Sequence, residues 1–272
     1  MKKIIMAIVL YMFFISCSQG GASLSGTGVS GSTARFAIVG DYLYVLNKYD
    51  AKSEDNSEES MGSLNRFNLE NTLDTFSLIN PELPTFTNRK VLDQIEPETL
   101  HPVGSNLFVG TDSGMMIISL ELPDAPETLS FIDHFRARDP VVVADNFAYV
   151  TLRTPEDRDF SGGINELQIY NVEDLSSPVQ LSSFPMTSPW GLGVQHKRAY
   201  ICDGSAGLRV MSVADPLTVS ELASVNTDIC FDVITTTSYV ISTGAAGVNQ
   251  YKIDAMTDAP LLLSTIALEQ PK

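Results

Sequence analysis

Thiols are the residues here whose chemistry depends most on where they sit. The chain holds three cysteines: Cys17 at the end of an apolar N-terminal run, Cys202 in AYIC, and Cys230 in ICFDV. A thiol can be acylated, oxidised to a disulfide, bound to a metal or used as a nucleophile. The last two uses need partners at short range. His101, His134 and His196 lie far apart, and none has a second His or Cys at metal-ligand spacing. There is no G-x-S-x-G segment and no phosphate-cradling loop. Gly204-Ser205-Ala206-Gly207 reads as a turn in which glycine supplies positive φ. No catalytic residue and no cofactor are therefore expected. Carboxylates are the remaining candidates. Asp139, Asp228 and Asp232 each precede or open a strand-like stretch and could meet around a metal if the fold gathers them. Glu54, Asp55, Glu58 and Glu59 lack the spaced Asp/Asn pattern and central Gly of a calcium loop, and read as a solvated charge run.

The N-terminal run is MKKIIMAIVLYMFFISC. Lys2 and Lys3 give it a positive start, and Ile4 to Ile15 is apolar apart from Tyr11. That stretch falls short of the roughly 20 apolar residues a membrane span needs, and fits the apolar region of a signal peptide. Phe14-Ile15-Ser16-Cys17 resembles the lipobox of bacterial lipoproteins, with Phe14 where Leu is usual. The resemblance implies cleavage after residue 16, acylation of Cys17 and a place in the bacterial cell envelope. Ser18, rather than Asp, points to the outer membrane. Residues 17–34 then form a flexible Gly/Ser-rich tether. With Cys17 acylated, Cys202 and Cys230 are left as a pair in an oxidising compartment. The sequence leaves two outcomes open for them, a disulfide or two buried thiols acting as small apolar residues.

Among the 272 residues, 17 Lys and Arg face 33 Asp and Glu, a formal charge of −16. Loss of Lys2 and Lys3 with the signal peptide makes the chain more acidic still. That balance excludes nucleic acid as a partner and disfavours peripheral docking on anionic lipid. The expected partners are the membrane, through the N-terminal lipid, and another envelope protein or a glycan.

The elements that must position these residues come from a repeat. A β-branched stretch, a polar turn, and an aromatic followed by a β-strand former recur five times, at 36–46, 101–110, 141–152, 191–202 and 231–242. The aromatic anchors are Tyr44, Phe108, Tyr149, Tyr200 and Tyr239. A second apolar phrase follows each anchor: SLNRFNL (63–69), GMMIISL, ELQIYNV, GLRVMSV and GVNQYKI. A Pro-bearing turn comes next, and in copies two to five a short apolar strand closes the unit. Four short strands per unit, repeated five times with no helical periodicity, predict an all-β fold: a five-bladed β-propeller of four-stranded blades over residues 35–270.

The run AYICDGSAGLRVMSVADP (199–216) closely resembles the LVIVD-repeat family of bacterial surface proteins, with looser copies over 98–135, 138–187 and 228–268. The resemblance implies a propeller and assigns no catalytic residues.

If strands A to D alternate in direction, the B–C and D–A loops share one end of the propeller. Two insertions, KYDAKSEDNSEESMG (48–62) and RTPEDRDFSGG (153–163), both fall between strands B and C. Long loops on a rigid scaffold are where binding concentrates. Arg153, Arg158, Asp139 and the single Trp, Trp190, belong to that end and form the expected binding face. Each has a plainer role available, rim ion pairs for the arginines and packing for Trp190. Cys202, ending strand B of the fourth unit, and Cys230, beginning strand A of the fifth, lie at the same end. The reading is a non-enzymatic, membrane-tethered binding or scaffolding lipoprotein. The alternative is a propeller hydrolase or lactonase with a metal at the channel mouth on Asp139, Asp228 and Asp232.

Overall fold

A computed structural model describes residues 34–48, 70–93, 95–133, 140–154, 164–226 and 229–267. The chain is an all-β, five-bladed β-propeller. Blade one is β1 (Phe36–Val39), β2 (Tyr42–Asn47), β3 (Thr72–Ser77) and β4 (Thr85–Val91). Blade two is β5 (Pro97–Val103), β6 (Asn106–Thr111), β7 (Gly114–Ser119) and β8 (Glu127–Asp133). Blade three is β9 (Val141–Ala144), β10 (Phe147–Arg153), β11 (Asn165–Asn171) and β12 (Val179–Pro185). Blade four is β13 (Leu192–Gln195), β14 (Arg198–Cys202), β15 (Leu208–Ser212) and β16 (Ser220–Val225). Blade five is β17 (Cys230–Thr235), β18 (Val240–Gly244), β19 (Gly247–Ile253) and β20 (Pro260–Ala267). Each sheet is an antiparallel meander of four consecutive strands, and among the described residues no strand is exchanged between blades.

The turns follow from local chemistry. Asp145-Asn146 and His196-Lys197 carry the A–B hairpins of blades three and four with φ of 50° and 65°, and 49° and 59°. Two residues at positive φ make the tight turn that matches strand twist. His196 is thus a turn residue. The C–D turns are held by Asx bonds: Asp174 accepts from Ser176 N, Asp215 from Leu217 N, and Asp254 from Met256 N and Thr257 N. These bonds, with hydroxyl donors from Ser176, Thr218 and Thr257, hold the three carboxyls below the ordinary aspartate range. Every C–D ladder has a bulge at a matching place, at Thr75/Phe76, Ile117/Ile118, Ile169/Tyr170, Val210/Met211 and Gln250/Tyr251. A bulge bends its strand and raises the local twist, so the outer strand of each blade turns in the same way.

One expectation needs correction. The C strand of blade one is not SLNRFNL (63–69), a segment outside the described residues. Tyr42–Asn47 pairs instead with Thr72–Ser77. In TLDTFS the apolar Leu73 and Phe76 are three apart and do not alternate; pairing marks the strand, and its register sets Leu73 opposite the buried Leu46.

Hydrophobic clusters fill the junctions between blades one and two, two and three, three and four, and four and five. Tyr44, Phe108, Tyr149 and Tyr200 are buried in them. Polar ties to the next blade's C–D turn recur: Tyr44 donates to Pro123 O, Ser130 to Leu175 O, Ser182 to Pro216 O, and Arg198 pairs with Asp258. Among the described residues no cluster joins blade five to blade one. No helix among them is long and apolar enough to cross a membrane.

His101, on β5, packs toward blade three. Burial holds its imidazole down to about 4, against the pull of its bond to the Val143 backbone, and Nδ1 has no partner. The unfolded chain takes up this proton near the ordinary value of 6.5. Stability from the neutral ring is therefore full above pH 6.5 and is lost as pH falls toward about 4. Urea midpoints should show about 1–2 kcal/mol less stability at pH 5 than at pH 7. His101→Gln should flatten that difference; an unchanged slope would show that the proton binds elsewhere.

Candidate functional site

The candidate site is built where blades three, four and five meet at the B–C and D–A end. Strand β10 of blade three ends at Arg153, at the root of the 153–163 insertion. The loop from blade three into blade four brings Trp190 beneath it. Arg153 is buried, and its guanidinium carbon lies 3.6 Å from the Trp190 ring centroid. That is a close cation–π stack. Phe231, from the start of blade five, meets the Trp190 ring edge-on, with centroids 5.3 Å apart.

The backbone of this corner is fixed by local bonds. Thr151 Oγ1 donates to Trp190 O at 2.8 Å, Trp190 N donates to Cys202 O at 2.7 Å, and Gly191 N donates to Phe231 O at 2.9 Å. A side chain at 191 has no room: a Cβ there would lie 2.1 Å from Asp232 Oδ1. Glycine is required because the A strands of blades four and five pass so closely. Asp232 also accepts from Val233 N at 2.9 Å.

Behind the stack lies a buried charged group. Asp203 has no exposed surface. Its carboxylate accepts from Thr187 N at 2.9 Å, Ser188 N at 2.7 Å and Arg209 Nη1 at 2.9 Å. Arg209 reaches on to Glu221 at 2.6 Å. Asp203 thus ties the loop before Trp190 to the turn after β14, where Gly204 and Gly207 take φ of 54° and 76°. Asp112 holds the equivalent place in blade two and accepts from Glu96 N. Cys202, next to Asp203, is joined to Cys230 by a disulfide with Cα atoms 5.0 Å apart, within ordinary bridging reach.

The structure thus brings Arg153, Trp190, Asp232, Cys202 and Cys230 to one corner. Trp190 is half-buried under Arg153, and Arg153 stacks on it in place of an exposed rim position. Arg158, Asp139, Asp228, His134, Glu54, Asp55, Glu58, Glu59 and Cys17 lie outside the described residues. Among the described residues no group of three His, Cys, Asp or Glu side chains is placed to hold a metal. Sequence reasoning missed Asp203 and Arg209. The local signal was an Asp directly before a Gly-rich turn; its backbone partners, Thr187 and Ser188, become visible only in the fold.

The first blades offer a second polar set at the same end. Lys48, at the root of the other insertion, pairs with Glu96 at 3.1 Å and with Glu98, and Arg35 reaches Glu98 at 3.4 Å. The Glu98 and Glu96 bonds hold the Lys48 ammonium above its ordinary range although burial opposes them.

No known family profile matches the sequence, and no curated protein matches it. Solved structures do resemble the fold. A protein from Lactobacillus plantarum superposes with a TM-score of 0.63 at 13% identity, covering 85% of this chain and 70% of its own. A functionally unknown protein from Desulfotomaculum acetoxidans gives 0.62 at 11% identity, covering 86% and 69%. The computationally designed Ika8 protein gives 0.58 at 10% identity, covering 84% of this chain, which spans only 59% of the designed one. These likenesses are of fold alone.

Proposed function

We propose that this chain is a non-enzymatic binding or scaffolding protein of the LVIVD-repeat kind. Cys17 tethers it by lipid to the bacterial envelope, and the B–C and D–A end of the propeller faces its partner. The observation that carries the reading is the Arg153–Trp190 stack, with Phe231 against it, at the root of one of the two long insertions. A guanidinium laid on an indole is a rigid, amphipathic platform, and Trp and Arg are over-represented where binding energy concentrates. An envelope protein or a glycan is the partner class that suits a half-buried aromatic, held in place by a buried guanidinium, on an otherwise acidic molecule.

The anchor is tested by acyl labelling in the native host. Cys17→Ser should abolish incorporation and release the chain in soluble form; continued labelling would remove the tether from the proposal. The face is tested by retention on immobilised envelope protein and glycan fractions. Replacing residues 155–163 with a Gly-Ser linker, or Trp190 with Ala, should abolish retention of whichever fraction binds. Retention unaffected by either change would place binding elsewhere.

A further inference from the structure

We infer that closing the Cys202–Cys230 disulfide is the step that assembles the Trp190–Phe231 pair, so that the oxidised chain carries the aromatic corner and the dithiol chain does not. Calling that corner a binding platform rests on the function proposed above; its dependence on the bond does not.

Each ring stands on one of the two cysteines. Trp190 N donates to Cys202 O at 2.7 Å, and Cys202 N returns a bond to Gly191 O at 3.0 Å. These reciprocal bonds fasten the Trp190 loop to the end of β14. Asp203, next to Cys202, holds the same loop through Thr187 N and Ser188 N. Phe231 directly follows Cys230 at the start of β17. The contact between the two rings therefore crosses from blade four to blade five, and the disulfide spans the same boundary.

A backbone bond, Gly191 N to Phe231 O at 2.9 Å, and a bridge between Gly204 and Cys230 cross there too. Both meet β17 at Cys230 or its neighbour, so the ties converge on one point. Other buried side chains of this junction, Tyr200, Val210, Val233, Val240 and Tyr251, stand further along the strands. The fit at the corner is closer than ordinary packing allows, since a Cβ at Gly191 would overlap Asp232. Bonded sulfurs sit about 2 Å apart, and two thiols cannot approach so near. The reduced chain must part the strands where they pass most tightly, and Phe231 moves off with β17.

Cys202 and Cys230 are 0% and 1% exposed. The bond therefore forms before blade five packs on blade four, while an oxidant still reaches both thiols. In that step the two thiols give up two protons and two electrons and a sulfur–sulfur bond forms. The disulfide of a thiol oxidase takes up both and becomes two thiols. After packing, a reductant reaches the bond only by way of an opening of blade five. Assembly of the corner is thus a single event during folding and not a reversible switch.

Trp190 is the only tryptophan, so its optical signals report this corner. The oxidised full chain is compared with Cys202→Ala/Cys230→Ala in non-ionic detergent without denaturant, and far-ultraviolet circular dichroism checks that the sheets persist. The variant should lose the near-ultraviolet tryptophan band, shift its emission to the red and be quenched more strongly by acrylamide. Ser182→Ala removes a tie between blades three and four at the opposite end, and should leave all three signals unchanged. If the cysteine variant is unfolded in buffer, both proteins are compared in trimethylamine N-oxide, which favours the compact state. Equal tryptophan signals in the oxidised chain and the folded variant overturn the inference, and so does an equal loss in Ser182→Ala. A variant that stays unfolded in the osmolyte overturns it as well, because the bond would then serve the propeller as a whole. No partner enters the measurement, so a chain that behaves as expected and retains no envelope fraction refutes the proposed function and leaves this inference standing.

Discussion

Asp203→Ala should destabilise the propeller by about 3–5 kcal/mol. The carboxylate is fully buried and satisfies two backbone amides and a guanidinium. Removing it strands both amides and takes from Arg209 its buried partner. Arg209 keeps Glu221, which lies partly in solvent and cannot replace the buried partner. The amides of Thr187 and Ser188 lose an acceptor away from water, and each unpaired group adds to the cost. Removing both charges should be milder than removing one, because no unpaired charge then stays buried. Asp203→Ala combined with Arg209→Met should therefore recover part of the loss. Urea titration of the single and double variants measures the coupling. A single-variant loss below about 1 kcal/mol would match an exposed ion pair and refute a buried network.

Reduction of the Cys202–Cys230 bond should lower stability by about 3–4 kcal/mol for its separation of 28 residues. The bond joins the end of β14 to the start of β17, so it staples the last blade to blade four. Its loss should fall on blade five first. Amide hydrogen exchange, with and without reductant, should show β17 to β20 losing protection while β5 to β12 keep theirs. Cys202→Ala with Cys230→Ala should match the reduced protein. Equal denaturation midpoints in both redox states would mean that the bond does not form in the folded protein.

The blade count was legible because each anchor recurs in the same phrase, and burial of four of the five follows from that phrase. Tyr239 shows where the reasoning stops. It carries the sequence signal of a buried anchor, but the structure leaves it in the A–B turn of blade five, and register puts Ile241 where the other anchors stand. Strand C of blade one was misplaced because neither SLNRFNL nor TLDTFS alternates strictly, and only pairing with Tyr42–Asn47 identifies the strand. Alternation of strand direction was enough to put Arg153 and Trp190 at one end. It could not give the stack, which depends on how far β10 runs beyond its hairpin and on a loop held by Asp203. Long-range ties of a side chain to distant backbone, such as Asp203 to Thr187 and Ser188, leave almost no trace in composition or period.

The meander order within each sheet has a consequence for how the molecule is made. Among the described residues every ladder joins strands that are neighbours in sequence, so each blade is complete once its own segment has emerged. A chain synthesised from its N-terminus can build blade upon blade without holding an unfinished sheet open for a late strand. Unpaired strand edges, the usual hazard of slow β-folding, then last only as long as one blade takes to emerge. A chain ending after Val225 would still contain four whole sheets. In a ring sealed by an exchanged strand, the same truncation would unzip the first blade as well as remove the last.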